Sequence, residues 1–231
     1  MAGIYDSRNL ASIGSLMGAI AAKAQKRRVY FSFHFDDLMR VNNVRQAWKI
    51  DHPNAQEMRS FYDSSLWESR QLGSAESVKS LIRDGVEHTS AVCVLVGSET
   101  WSRRWVRYEI ARAVIDGRGL LAVHLNNLRH HIRRLPDLCG PNPLEYMAVG
   151  KVQSNPWMAP QYYLFQLDGQ GRWVRYQDYT IPVSLPRYLA DPRPGYVTLL
   201  SAGTSVYDYV NQAGHKNIGS WIDQAAQQVG R

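Results

Sequence analysis

Short apolar runs alternate with stretches of helical periodicity through the first half of the chain. Residues 29–33 (Val-Tyr-Phe-Ser-Phe) form a β-branched and aromatic run that predicts a buried strand. Asp36 and Asp37 then open a helix reaching about Ile50, with acidic residues suited to a helix N-terminus. Residues 59–62 predict a second short strand ending at Asp63, and a polar loop follows as far as Gly73. A helix begins at Ser74, reaches Arg83 and closes at Gly85, where glycine can take a left-handed cap. Residues 91–96 are continuously apolar, as a central parallel strand covered on both faces should be. A helix over 102–115, stopped by Gly117, and a fourth strand over 120–125 complete the alternation.

This order predicts an α/β fold, flavodoxin-like and doubly wound, with a mainly parallel sheet flanked by helices. Such sheets bind ligands at the carboxyl ends of their strands, which directs attention to Phe33 and His34, to 63–67 and to 97–109. Beyond residue 125 the pattern changes. Residues 129–143 read as loop, ending in Gly140-Pro141-Asn142-Pro143. Segments 162–167 and 172–177 flank Asp168-Gly169-Gln170-Gly171 and predict a β-hairpin. Two helices, 206–211 and 218–228, are expected to close the chain.

No Pro/Gly/Ser-rich linker divides the sequence, so one domain is expected over 28–231, preceded by a helical extension over 1–27. In that extension residues 9–22 are uncharged and apolar, but shorter than the roughly 20 residues a bilayer span needs. The glycines that interrupt it, and Asp6 offsetting Arg8, make it a poor signal peptide. It reads instead as a helix packing on a neighbour, with Gly14 and Gly18 four apart permitting close approach and self-association.

With 231 residues and 45% hydrophobic content the chain can bury one sizeable core. The net charge of +7 suggests an anionic partner. The basic residues stand in short groups (26–28, 103–104, 129–134) rather than a tract, and no nucleic-acid-binding motif accompanies them, so nucleic acid is not expected. Cys93 lies inside the apolar run and Cys139 stands far from it; they make neither a metal cluster nor a disulfide framework, and a reducing cytoplasm fits best. No stable membrane insertion is expected.

There is no phosphate-binding Gly-x-x-x-x-Gly-Lys loop, nucleophile elbow or His-Glu-x-x-His helix. The pair His130-His131 has no acidic or thiol companions nearby in sequence for a metal. A dinucleotide glycine fingerprint is missing after the first strand, which argues against hydride transfer. The informative segment is 98–110, which leaves the central strand and enters a helix. There Trp105 and Glu109 stand i and i+4, projecting from one face, with Tyr108 in reach of the same crevice. An indole beside a carboxylate suits a sugar or nucleotide: the ring covers one face, and the carboxylate binds ribose hydroxyls and stabilises a developing oxocarbenium ion. The competing reading places Trp105 in the core and pairs Glu109 with Arg107 or Arg112.

This segment resembles the conserved box of TIR domains, in which Ser, an aromatic, Trp and Glu recur after the central strand. Residues 30–37 resemble the first TIR strand and the acidic residue after it. The likeness is closer still to the ThsB family of Thoeris anti-phage systems. It is carried by Phe31-Ser32-Phe33-His34, by 63–68 (Asp-Ser-Ser-Leu-Trp-Glu), by 103–109, by Gly140-Pro141-Asn142-Pro143 and by 205–210, in the same order over roughly 28–222. One departure is Val106, where many TIR domains carry a cysteine or similar residue.

The resemblance implies an enzyme that takes NAD as substrate, needs no cofactor, releases nicotinamide and forms a cyclic ADP-ribose isomer. That signal would activate a partner effector. Glu109 matches the catalytic glutamate and Trp105 the aromatic one turn earlier; Asp63 matches a position lining the ribose pocket; Phe33, His34 and Tyr108 are expected to contact the nucleotide. Arg103, Arg104 and Arg107 are candidates for the pyrophosphate. Two other readings stay open at this level: a non-catalytic TIR scaffold assembling with other TIR domains, and a nucleotide sensor without turnover.

Overall fold

The computed structural model describes residues 27–51, 56–57, 74–153 and 155–231. Five strands form a parallel sheet in the order β2-β1-β3-β4-β9: β1 (Arg28–Phe33), β2 (Gln56–Glu57), β3 (Ala91–Val96), β4 (Gly119–His124) and β9 (Ser205–Asp208). The register runs Val29 beside Ala91 and Phe33 beside Leu95, then Ala91 beside Gly119 and Val96 beside His124. Among the described residues four α-helices accompany it: α1 (Leu38–Asp51), α2 (Ala75–Glu87), α3 (Arg104–Ile115) and α4 (Gly214–Gln228).

Strand alternation sorts the core into two halves. Val29, Phe31, Phe33, Cys93, Leu95, Leu121 and Val123 face Val41, Val44 and Trp48 of α1 and Ile218, Trp221 and Ile222 of α4. Tyr30, Val92, Val94, Val96, Leu120 and Ala122 face α2 and α3 on the other side. Both faces of β3 are therefore covered, which is why its six residues are all apolar and all buried.

A second, antiparallel sheet packs beyond α2 and α3 in the order β7-β6-β5-β8: β5 (Met147–Val152), β6 (Gln161–Leu167), β7 (Trp173–Arg175) and β8 (Val197–Leu199). The expected hairpin is its β6–β7 pair, with Phe165 opposite Arg175 and Leu167 opposite Trp173. Met147, Val149 and Leu164 of this sheet join the α2/α3 half of the core.

Three sequence expectations are corrected. Residues 206–211 are not a helix: Ser205–Asp208 is the fifth parallel strand, pairing Val123 with Tyr207 and His124 with Asp208. It ends because the Asp208 carboxylate accepts the amides of Val210 (2.9 Å) and Asn211 (2.7 Å), closing a turn. Gly85 does not cap α2, which continues to Glu87. It is a close-approach glycine, because a Cβ there would lie 2.8 Å from the Tyr30 ring. The last helix starts at Gly214 rather than 218. The described second strand is Gln56–Glu57, paired with β1; the predicted segment 59–62 and the N-terminal extension over 1–26 lie outside the described residues. Among the described residues no helix is long and apolar enough to cross a membrane.

Helix α4 meets β4 backbone to backbone at Gly119, where a Cβ would stand 2.3 Å from the Ala225 carbonyl oxygen. Gly119→Ala is expected to lower the stability of the fold by about 2–3 kcal/mol through overpacking, read as a lower denaturation midpoint with unchanged slope.

Candidate active site

The loop leaving β3 sets where α3 begins. Thr100 is buried, and its Oγ1 accepts the Gly97 amide at 2.9 Å. A short 3-10 turn over Thr100–Ser102 follows, Ser102 Oγ donates to the Glu99 carbonyl (2.9 Å), and Arg103 is extended, so α3 starts at Arg104. This brings Trp105, Tyr108 and Glu109 onto the buried face of the helix.

Glu109 reaches across to β1. Tyr30 Oη donates to its Oε1 at 2.6 Å and Ser32 Oγ to its Oε2 at 2.5 Å. Tyr30 and Ser32 are two apart on the strand and so share a face. Glu109 is 2% exposed, and burial pushes its carboxyl up to about 7, with the Ser32 and Tyr30 hydroxyls pulling the other way. Neither Arg107 nor Arg112 is among these partners: Arg107 Nη2 donates to the Ser102 carbonyl and Arg112 Nη2 to Asp116 (2.5 Å). The competing reading holds for Trp105, which is buried in the α2/α3 half of the core, while its arginine partners for Glu109 are replaced by two hydroxyl hydrogen bonds.

The Trp105 and Tyr108 rings pack edge to face at 6.3 Å. The Arg104 guanidinium lies 4.8 Å from the Trp105 ring centre and is held in a fork by Asp178, at 3.0 and 2.6 Å. Lys79 of α2 sits 5.7 Å from the Tyr108 ring and 3.2 Å from Asp178. Arg104 and Arg107, two of the three arginines considered for a pyrophosphate, therefore hold the protein itself together.

His34 extends β1 by one residue; it is buried, on the face of Tyr30 and Ser32 by alternation, with Nδ1 3.6 Å from Asp36 Oδ2. Phe33 is not brought to Glu109: the same alternation turns it into the α1 half of the core, 5.2 Å under the Arg45 guanidinium. Asp63 lies outside the described residues. Thus Glu109, Trp105 and Tyr108 gather on α3, with His34 at the end of the facing strand.

Sequence reasoning overlooked two features. Tyr30 and Ser32 were part of a recognised strand but had no assigned role; the signal was a hydroxyl at every second position of an apolar run. The other is a buried ion-pair chain. Arg40 bridges Asp37 and Asp137 (2.8 Å to the latter), and Arg133 adds to Asp137 at 2.7 Å. Burial pushes Asp37 up to about 6, against the pull of Arg40. The Asp37 carboxylate abuts Gly97, so the chain ties together the loops after β1, β3 and β4.

A parallel sheet in the order 2-1-3-4 with its edge strand last, and a buried glutamate on the helix after the central strand, define a TIR-like α/β domain. The family model described as "Thoeris protein ThsB, TIR-like domain" matches residues 30–130. A Bacillus cereus (strain MSX-D12) protein described as "Putative cyclic ADP-D-ribose synthase ThsB1" is 35% identical over 199 residues, covering 85% of this chain and 99% of the relative. The chain belongs to the Thoeris ThsB family of TIR-like proteins.

The Glu109 environment has a measurable thermodynamic consequence. With a folded-state pKa near 7 against 4.5 unfolded, the folded protein holds a proton that the unfolded chain releases between those values. The resulting stabilisation is complete below about pH 4.5 and is lost as pH rises through 7, about 3 kcal/mol in all. Asp37 acts in the same direction over a lower window, so the comparison of wild type with Glu109→Gln isolates Glu109. Denaturant titrations from pH 5 to 8 are expected to show stability falling more steeply in wild type than in the variant.

Proposed function

We propose that this protein cleaves the nicotinamide–ribose bond of NAD and forms a cyclic ADP-ribose-type signal, with Glu109 as the catalytic carboxylate. The supporting observation is the hydroxyl-bound, near-neutral carboxyl of Glu109 on the helix after the central strand. A carboxylate has about four lone-pair sites, and Tyr30 and Ser32 occupy two. The others are assigned to the hydroxyls of the nicotinamide ribose.

NAD carries its leaving group as a pyridinium cation, so departure needs no general acid. As the C1′–N bond breaks, its electron pair leaves with nicotinamide and positive charge spreads over C1′ and the ring oxygen. Glu109 stabilises that charge in surroundings where water does not screen it. Capture of C1′ by an adenine nitrogen of the same molecule closes the cyclic product with release of one proton; capture by water gives the linear one. The substrate cation also favours the ionised form of Glu109, so binding itself deprotonates the group. Trp105 and Tyr108 form the apolar wall behind the carboxylate, and His34 and Asp63 are assigned to nucleotide contacts. The product is released as a diffusible signal to a partner effector.

The test is incubation of the protein with NAD, with products resolved by chromatography and mass spectrometry. Wild type is expected to release nicotinamide and a product of cyclic mass. Glu109→Gln is expected to lose activity by at least about 100-fold; turnover retained in that variant would overturn the assignment.

The pH dependence gives a second test. The acidic limb of kcat/KM, which reports the free enzyme, is expected near pH 7, and that of kcat at lower pH because the bound cation favours the carboxylate. Ser32→Ala removes a hydrogen bond that lowers the Glu109 pKa and is expected to move the kcat/KM limb to higher pH.

A further inference from the structure

The loop after β4 is fixed in one shape. His130 Nδ1 accepts the amides of Ile132 (3.2 Å) and Arg133 (3.4 Å), the Arg134 amide donates to the His130 carbonyl, and the His130 amide donates to Leu135. Arg134 sits at φ 59°, a left-handed conformation that costs a non-glycine residue on the order of 1 kcal/mol. Its base is fastened into the core by the chain Arg133–Asp137–Arg40–Asp37.

What this rigid loop displays is unusual for a free surface. Ile132, Leu135 and Leu138 are 74%, 66% and 87% exposed. Across from Ile132 stand Phe35 and Met39, at 39% and 52%, and between them lies a cavity of about 480 Å³ with the stacked imidazoles of His130 and His131 on its wall. Phe35, Met39 and Ile132 line the recess, while Leu135 and Leu138 are exposed further along the same loop; large exposed apolar side chains around a recess mark an interaction site. Arg129, Arg133 and Arg134 are exposed on the same loop. Of the described carboxylates nearby, Asp137 is paired with Arg40 and Arg133; Asp36 lines the recess, exposed and 3.6 Å from His34, and is outnumbered by Arg129 and Arg134.

We propose that this face docks an acidic polypeptide segment carrying an apolar anchor side chain. The recess receives the anchor and the arginines meet the flanking carboxylates, an arrangement in which a few buried apolar contacts supply affinity and the charges supply specificity. A second copy of this chain, at net charge +7, is a poor electrostatic partner. A bilayer is met by convex apolar edges rather than a walled recess. The recess adjoins the turn that begins directly after His34. The proposal does not depend on the NAD reading, and its test reads binding.

The full chain is used to select from a random-peptide display library, with counter-selection on a Met39→Ser/Ile132→Ser variant. Enriched peptides are labelled and titrated by fluorescence anisotropy, alongside phosphatidylserine-containing vesicles and sedimentation of the protein alone. The expected result is enrichment of Asp/Glu-rich peptides with an aromatic or aliphatic residue, binding weakened by salt and weakened about tenfold or more in the double variant and in an Arg129→Glu/Arg134→Glu variant. Circular dichroism of both variants is expected to match wild type, because the substituted side chains are exposed. Peptides without acidic residues, binding unaffected by either variant, or no enrichment would each overturn the proposal. So would vesicle binding or self-association that is abolished by the same substitutions while no peptide binds.

Discussion

A single carboxyl group, buried between a helix and the first strand of the sheet, governs how this half of the molecule is arranged. Leaving the Glu109 carboxylate in an apolar interior without partners would cost more than the fold could bear. The structure meets that constraint with two hydroxyls from one strand, Tyr30 on Oε1 and Ser32 on Oε2. Each requirement passes outward. Tyr30 can lie beneath α2 only because Gly85 has no side chain there, and α3 can approach β1 only because its own buried face is set by the turn that Thr100 anchors. The result is a carboxyl pushed by burial up to about 7, against the pull of the two hydroxyls.

The second sheet, absent from a minimal doubly wound fold, supports the same helix. Leu164 of β6 and Tyr176 join the core under α3, and Asp178, just after β7, grips Arg104 across the Trp105 ring. The chain then returns to add β9 at the sheet edge beside β4 and to cover the other face with α4. The family match over 30–130 ends before these additions, while the Bacillus cereus relative aligns across 85% of the chain. Through Leu164, Tyr176 and Asp178 the second sheet clamps the helix that carries Glu109.

At the carboxyl edge of the sheet, three loops are bound by the Asp37–Arg40–Asp137 chain, and Leu125 and Leu128 of the last are packed into the α1 half of the core. Buried ion pairs contribute little net stability, but removing one partner strands the other charge, so the loops keep one mutual arrangement. That arrangement holds His34 at the end of β1 and presents the Ile132 loop beside Phe35. The end of β1 and an exposed apolar recess thus share one rim.

Elements whose signal is local were legible in the order of residues alone. Continuous apolar runs marked β1, β3 and β4; Asp168-Gly169-Gln170-Gly171 marked the β6–β7 turn; and the i, i+4 spacing of Trp105 and Glu109 put both on one face of a helix. Those follow from side-chain periodicity and turn chemistry, which are written in neighbouring residues. Only the tertiary structure decided which groups meet across the fold. Residues 205–208 became a strand because the edge of β4 offered open hydrogen bonds, overriding the helical reading of 206–211. Phe33 was turned away from Glu109 by one step of strand alternation, and the hydroxyls of Tyr30 and Ser32 were brought to a carboxylate 79 and 77 residues further on. Contacts at that separation depend on the packing of whole elements, and no local pattern encodes them.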